Sequence, residues 1–258
     1  MLLAVDIGNT DVVFGVYSGE KVLHVWRTPT LTRQPAYHYK DFLQLQLLES
    51  GISSVEFDMA VISSVVPVLT PAMAELLEKL FQVRPVVVGA DSFPALKLEI
   101  DHPYELGSDL IANSVAAYTR FRENCVIVDF GTALTFTAVT GDGRVLGVSI
   151  VPGLKTAVKA LFANTAQLPE VPLTLPESAI GKNTTQSIQS GILIGYEGLV
   201  RTLVERFKAE LGGDCKVVAT GGLSGNINGL REVFTVIDLG LTLDGLRIIG
   251  MEGNAGRV

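Results

Sequence analysis

Leu2-Leu3-Ala4-Val5-Asp6-Ile7-Gly8-Asn9-Thr10 opens the chain, and Val126-Ile127-Val128-Asp129-Phe130-Gly131-Thr132-Ala133 returns to its pattern about halfway along. In each copy an apolar run of strand length ends in an aspartate, one apolar residue and a glycine. A second apolar stretch follows each, Val12 to Tyr17 and Leu134 to Val139. Strand, Asp-x-Gly turn and strand predict a β-hairpin whose glycine takes dihedrals closed to other residues. Such a turn offers backbone N–H groups and hydroxyls to an anion, with a carboxylate close enough to organise a cation. One Asp-x-Gly turn is common. Two at half-chain spacing predict a duplicated domain that handles phosphate with both halves.

Composition supports that reading. The chain has 258 residues, 48% hydrophobic and 18% charged, enough apolar material for two cores and too much for a disordered chain. A division into lobes 1–120 and 121–258 follows from the repeat. Net charge is −7, and no basic run exceeds a pair, so neither nucleic acid nor an acidic membrane is expected as a partner. A phosphate ligand remains compatible, because backbone N–H groups and a metal ion can hold it. Cys125 and Cys215 form no Cys-x-x-Cys, and a reducing compartment fits. The N-terminal apolar run lacks a positive flank and meets Asp6 at once, unlike a signal peptide. No segment approaches the roughly 20 uninterrupted apolar residues of a membrane span. The expectation is a soluble, cytoplasmic protein.

Element order repeats as well. Strands are predicted at 2–6, 12–17 and 21–26, a helix at about 36–50 ended by Gly51, a strand at 59–63, and a helix from a Thr70 cap with Pro71 first to about 81. A strand at 85–88 and a helix from Ser108 or Asp109 to about 121 complete the first half. The second half predicts strands at 125–130, 134–140 and 145–149, a helix at 154–162, a Pro-rich excursion over 163–183, a long helix at 184–211 and a strand at 216–219. Both halves read β-β-β-α, then α-β.

Familiar signatures are missing. Gly181-Lys182 is followed by Asn183 and lacks the upstream glycine of a phosphate loop, no G-x-G-x-x-G follows a strand, and His24, His38 and His102 show no ligand spacing. No nucleophile elbow occurs. Phosphate chemistry therefore falls to the paired hairpins. Asp6 and Asp129 end apolar strands, where a bare charge is costly unless paired or metal-bound; a lone turn carboxylate could equally bond nearby backbone N–H groups. Thr220-Gly221-Gly222-Leu223 reads either as a surface for a flat group such as adenine or as an ordinary strand-to-helix turn. In Gly107-Ser108-Asp109-Leu110, Asp109 is either an N-cap, stabilising by about 1 kcal/mol, or a base freed by Ser108 capping in its place. The helix N-terminus should depress its pKa. Gly191, Gly195 and Gly198 mark one side of the long helix, opposite Ile188, Leu199, Leu203, Phe207 and Leu211. That face could pack on a neighbouring helix or on a second copy of the chain.

Together these segments resemble the type III pantothenate kinases of the acetate and sugar kinase/Hsp70/actin superfamily. The likeness covers nearly the whole chain: Asp6 to Thr10, Ile62-Ser63-Ser64-Val65-Val66-Pro67, Gly107-Ser108-Asp109, Asp129 to Ala133, Pro152-Gly153, Ile180-Gly181-Lys182-Asn183-Thr184 and Ala219 to Leu223. The resemblance implies an α/β fold of two duplicated ribonuclease-H-like, actin-like lobes with a nucleotide cleft between them. It implies ATP-dependent phosphorylation of pantothenate to 4′-phosphopantothenate, the first step of coenzyme A biosynthesis, by a homodimer using Mg²⁺ and a monovalent cation, K⁺ or NH₄⁺. By position, Asp6, Ile7, Gly8, Asn9, Thr10, Asp11, Val12 and Val13 would form the ATP phosphate loop, with Thr132 a second phosphate contact. Asp129 would hold the monovalent cation. Asp109 would be the base. Ile100, Gly107, Ser108, Asp109, Leu110 and Thr184 would meet pantothenate.

The departures lie in the substrate pocket. The family's Gly-Ala-Asp-Arg is Gly107-Ser108-Asp109-Leu110, an upstream tyrosine is Ile100, Asn-Pro is His102-Pro103, and Thr-Ala-Thr-Thr-Phe-Asp is Thr132-Ala133-Leu134-Thr135-Phe136-Thr137. Leu110 removes a cation that could pair with the pantothenate carboxylate, worth about 1.5–3 kcal/mol as a charge-assisted hydrogen bond. Lys155, Lys159 and Lys182 are candidates to replace it. A kinase of another small hydroxyl compound, or a nucleotide-binding paralogue with a regulatory role, are the alternative readings.

Overall fold

The run Leu2 to Val5 needs shelter on both faces, and β1 (Leu2–Ile7) finds it inside a sheet. The computed structural model describes residues 1–33, 37–165, 168–222, 224 and 228–255. Ala36, the expected start of the first helix, and Leu223 of the Gly-Gly turn lie outside the described residues. The first unit contains β1, β2 (Asp11–Ser18), β3 (Lys21–Pro29), α1 (Tyr37–Ser50), β4 (Met59–Ser64), α2 (Thr70–Phe81), β5 (Val86–Val87), β6 (Lys97–Leu98) and the start of α3 (Ser108–Phe121). The second contains β7 (Cys125–Phe130), β8 (Ala133–Val139), β9 (Arg144–Pro152), α4 (Leu154–Ala163), α5 (Thr184–Glu210), β10 (Lys216–Thr220) and β11 (Val236–Ile237). The last helix, α6 (Leu241–Ala255), groups with the first unit.

Five strands of each sheet repeat one topology, and the second sheet adds β6 beside β9. The first sheet runs β3-β2-β1-β4-β5, and the second carries β9-β8-β7-β10-β11 in the same order. In both, the first three strands are antiparallel and the last two join in parallel. β1 and β7 share one burial pattern, with the aspartate the single half-exposed position. Even the irregularity repeats: register slips between Val16 and Tyr17, and again between Ala138 and Val139. A bulge at matching places increases strand twist in both halves.

Alternation sorts the first sheet's faces. Leu3, Val5, Ile7, Val12, Phe14 and Ile62 pack with Leu43 and Leu47 of α1 and Met73 and Leu77 of α2. Gly51 ends α1 with φ +67°, its N–H bonded to Leu48 O at 3.2 Å. Thr70, expected from sequence to cap α2, lies inside the helix. Leu69 holds the cap position, and the Thr70 hydroxyl donates instead to Ser64 Oγ at 2.8 Å.

The opposite face of that sheet receives α6, which hydrophobic periodicity does not announce because glycines interrupt it. Those glycines are contact points. A Cβ on Gly250 would lie 2.5 Å from Val61 Cγ2 and 2.9 Å from Met59 Sδ, and one on Gly245 would overlap the carbonyl of Ala112 in α3. Two contiguous lobes divided at residue 120 therefore do not describe the contacts: the chain from Gly240 packs with the first sheet.

The second core gathers Val126, Val128, Phe130, Leu134 and Phe136 under Leu193, Val200 and Val204 of α5. The Pro-rich excursion is tied to that helix, with Gln189 Nε2 donating to Pro172 O at 2.8 Å. Gly191, Gly195 and Gly198 are exposed, and among the described residues nothing lies within 4 Å of where a Cβ would stand on them. Cys125 and Cys215 are free thiols, and burial pushes the Cys125 thiol up to about 12. No described helix is long and apolar enough to cross a membrane.

Candidate active site

Each aspartate hairpin is closed by the strand that follows it. In the first, Gly8 N–H donates to Asp11 O at 3.0 Å, Thr30 N–H to Thr10 O at 2.8 Å, and Thr30 Oγ1 to Gly8 O at 2.6 Å. In the second, Gly153 N–H donates to Thr132 O at 2.9 Å and Thr156 Oγ1 to the same oxygen at 2.7 Å. Thr30 and Gly153 occupy matching places after β3 and β9. The Pro152-Gly153 pair is thereby explained: a Cβ on Gly153 would overlap Gly131 O and stand 2.6 Å from Thr132 O. Tyr196 Oη of α5 donates to Pro152 O at 2.6 Å.

The hairpin glycines correct one expectation. Neither Gly8 nor Gly131 has a positive φ. Space is the reason for glycine here, since a Cβ on either would press to 3.2 Å on a backbone oxygen, Asp11 O or Ala133 O. Asn9, Thr10, Gly131 and Thr132 are exposed at the tips. Asp11 pairs with Arg27 at 2.9 Å at the base of the first tip.

Asp109 is tied to the first hairpin through serines. Asp6 stands beside Ser63 in the β1–β4 register. Ser63 Oγ lies 3.0 Å from Ser108 Oγ, and Ser108 Oγ also accepts from Ser64 N–H at 2.8 Å. Val65 N–H donates to Ile7 O at 3.0 Å. The Ile62-to-Pro67 segment thus joins the first hairpin to the start of α3. Ser108, which the sequence offered with Asp109 as an alternative cap of α3, has its hydroxyl engaged in that joint. This serine bridge was not read from sequence; a serine pair at a strand end and a serine before Asp109 were its only trace.

Asp109 itself folds back on its helix, Oδ1 accepting from Leu110 N–H at 2.8 Å. Gly107 makes room for it: a Cβ there would collide with Asp109 Oδ1 and sit 3.5 Å from Val65 Cγ1. Burial lifts the Asp109 pKa above the ordinary carboxylate value, outweighing the backbone N–H of Leu110 that lowers it. The expected helix-terminus depression is therefore overturned, because loss of solvation disfavours the anion more strongly. Leu110 is buried and Ile100 half-buried, while His102 is exposed.

In the second unit, Gly221 has φ +86°, and a Cβ there would lie 2.6 Å from Asp129 Oδ1 and 2.7 Å from Phe130 N. Only glycine allows that left-handed turn to press on the hairpin. Gly222 beside it has open space on its Cβ side. Ser224 closes the turn, its Oγ donating to Gly221 O at 2.8 Å. Further on, Arg201 of α5 bonds Gly229 O and pairs with Glu197 at 3.1 Å and Glu232 at 3.0 Å. At the head of α5, Asn183 Oδ1 accepts from Gln186 N–H at 2.9 Å, leaving Thr184 exposed in the first turn. Gly181 is required there, since a Cβ would overlap Ser187 N and stand 2.6 Å from its Cα. Lys155, Lys159 and Lys182 are exposed.

Each sheet carries an aspartate hairpin at the same place in its order, and in the first unit a partly buried carboxylate, Asp109, follows the serine bonded to Ser63. A family model described as type III pantothenate kinase matches residues 2–206. A type III pantothenate kinase from Roseiflexus sp. (strain RS-1) is 44% identical over 96% of this chain and 98% of its own. Among solved structures, a conserved Baf family protein from Campylobacter jejuni aligns with TM-score 0.60 at 20% identity, covering 98% of this chain and 99% of that one. An inorganic polyphosphate/ATP-glucomannokinase from Arthrobacter sp. strain KM aligns with TM-score 0.51 at 13% identity over 99% and 98%. The structural matches speak for the actin-like fold, and the sequence matches carry the identification: the chain belongs to the type III pantothenate kinase family.

Proposed function

We propose that Asp109 accepts the proton of pantothenate's primary hydroxyl as that oxygen attacks the γ-phosphorus of Mg-ATP. The new O–P bond forms as the bond to ADP breaks, and the proton goes to the Asp109 carboxylate. Asp6 to Val13 cradle the phosphates, Thr132 is a further phosphate contact, and Asp129 holds a monovalent cation, K⁺ or NH₄⁺. Gly107, Ser108, Leu110, Ile100 and Thr184 meet pantothenate. The observation that carries this reading is the Ser63–Ser108 bond, which ties the base to the first phosphate hairpin. Phosphoryl transfer gains mostly from positioning and charge stabilisation, and a buried carboxylate is a stronger base than an exposed one.

ATP brings its Mg²⁺, which neutralises developing phosphate charge when bound. Leu110 gives the pocket an apolar wall where the family carries a cation. The open Gly191-Gly195-Gly198 face of α5 supports a homodimer, and the free thiols suit a cytoplasmic setting. Turnover compared in K⁺, NH₄⁺ and Na⁺ tests the cation assignment. Activity in K⁺ and NH₄⁺ that falls at least tenfold in Na⁺ is the expected result, and equal rates in all three would remove Asp129 from its role.

Gly107 offers a second test. Gly107→Ala forces a Cβ into Asp109 Oδ1, and displacing a catalytic group by about 1 Å costs on the order of a hundredfold. Steady-state kinetics should show kcat reduced about 10–100-fold with the melting temperature nearly unchanged. Wild-type kcat in this variant would show that the observed Asp109 position is not the catalytic one.

A further inference from the structure

Two hydroxyls of β8, Thr135 Oγ1 and Thr137 Oγ1, are buried with no hydrogen-bond partner among the described residues. Thr135 is 8% exposed and Thr137 1%. Leaving such a group unpaired costs about 1–3 kcal/mol, so each demands a ligand or a reason. The register locates Thr135. It stands directly opposite Asp129 across β7 and β8, while Thr220 stands opposite Asp129 across β7 and β10. Opposed residues project from one face with Cβ atoms about 4.5–5.5 Å apart. The row across three strands reads hydroxyl, carboxylate, hydroxyl.

The matching row of the first sheet reads Ser63, Asp6, Val13. There one flank is apolar, and the Ser63 hydroxyl on the other is engaged with Ser108. The two halves have diverged at the residue flanking the carboxylate: valine beside Asp6, an unpartnered threonine beside Asp129. The approach to Asp129 is kept clear by glycine, since Cβ atoms on Gly221 and Gly131 would come within 2.6 and 3.7 Å of its Oδ1. One carboxylate with neutral oxygens matches a weakly hydrated monovalent ion better than Mg²⁺, which demands near-ideal octahedral geometry and keeps its waters.

We propose that the Thr135 hydroxyl is a further oxygen donor to the monovalent cation at Asp129, and so sets that site's affinity. The proposal rests on the assignment of Asp129 to the cation. Thr137 faces Ile127 in the register and serves as an internal control. The test is a titration of Tl⁺, a K⁺ stand-in, into the full chain with Mg-ADP present, followed by thallium NMR. Wild type, Thr135→Val, Thr135→Ser and Thr137→Val are compared, with melting curves recorded for each. Valine is isosteric with threonine and removes an unpaired group, so Thr135→Val should fold as well as wild type. Its Tl⁺ affinity should fall about tenfold or more, as for one lost hydrogen bond to a charged group. Thr135→Ser should restore it and Thr137→Val should leave it unchanged. Wild-type affinity in Thr135→Val would overturn the proposal, as would equal losses in Thr135→Val and Thr137→Val. Wild-type protein that phosphorylates pantothenate but binds no Tl⁺ would overturn the cation site and leave the kinase intact.

Discussion

Asp109→Asn is expected to cut pantothenate-dependent turnover by about 10²–10⁴-fold while the protein stays folded and keeps Mg-ATP. The same change should raise stability at neutral pH. Burial lifts the Asp109 pKa in the folded chain, so ionising this carboxylate costs stability once the pH exceeds its unfolded value. The penalty grows through the interval between the unfolded and folded pKa and is fully present above the latter. Asparagine removes it. The gain should therefore appear at pH 7 and vanish in acid below the ordinary carboxylate range. Wild-type activity should correspondingly fall on the acid side at a pH above that range, as the base protonates. Melting curves and kcat/KM against pH, run on both proteins, check the two halves together. A variant that keeps wild-type turnover contradicts the catalytic assignment, and one less stable than wild type at pH 7 contradicts the burial argument.

Gly245→Ala should be the most damaging single-methyl change in the first unit. Its Cβ would overlap Ala112 O and lie 2.5 Å from the Ala112 carbonyl carbon. Backbone cannot swing aside as a side-chain end can, so α6 and α3 must separate. Overpacking of this kind costs about 3 kcal/mol, a fall of about 6–12 °C in melting temperature for a chain of this size. Activity should drop as well, because Ala112 lies on α3 one turn after Asp109. Gly250→Ala meets the side chains of Val61, Met59 and Leu2, which can yield, and should cost less. Equal melting of Gly245→Ala and wild type would show that the α3–α6 contact is looser than described.

Much of this was legible in the residues. The paired Asp-x-Gly runs give two hairpins, and the structure adds that sheet order and bulge position are duplicated with them. Asp109 could be singled out because a serine and a glycine precede it at a helix start. What could not be read is what depends on partners distant in sequence. α6 hides its amphipathic face behind Gly245 and Gly250, which are small because other backbones and side chains press on them. The Ser63–Ser108 bond joins residues 45 apart, and no local pattern encodes it. The pKa direction failed for a related reason: a helix terminus is visible in sequence, whereas the burial that outweighs it belongs to the folded chain. Thr135 looked like an ordinary strand residue until the register set it opposite Asp129.

Phosphorus NMR of purified protein with Mg-ATP and pantothenate in potassium buffer, with Asp109→Asn alongside, decides whether the chain transfers the γ-phosphoryl group to pantothenate. A new phosphomonoester signal from 4′-phosphopantothenate, growing with ADP and absent in the variant, is the predicted result. ATP consumed at the same rate with and without pantothenate, or no phosphomonoester formed, would contradict it.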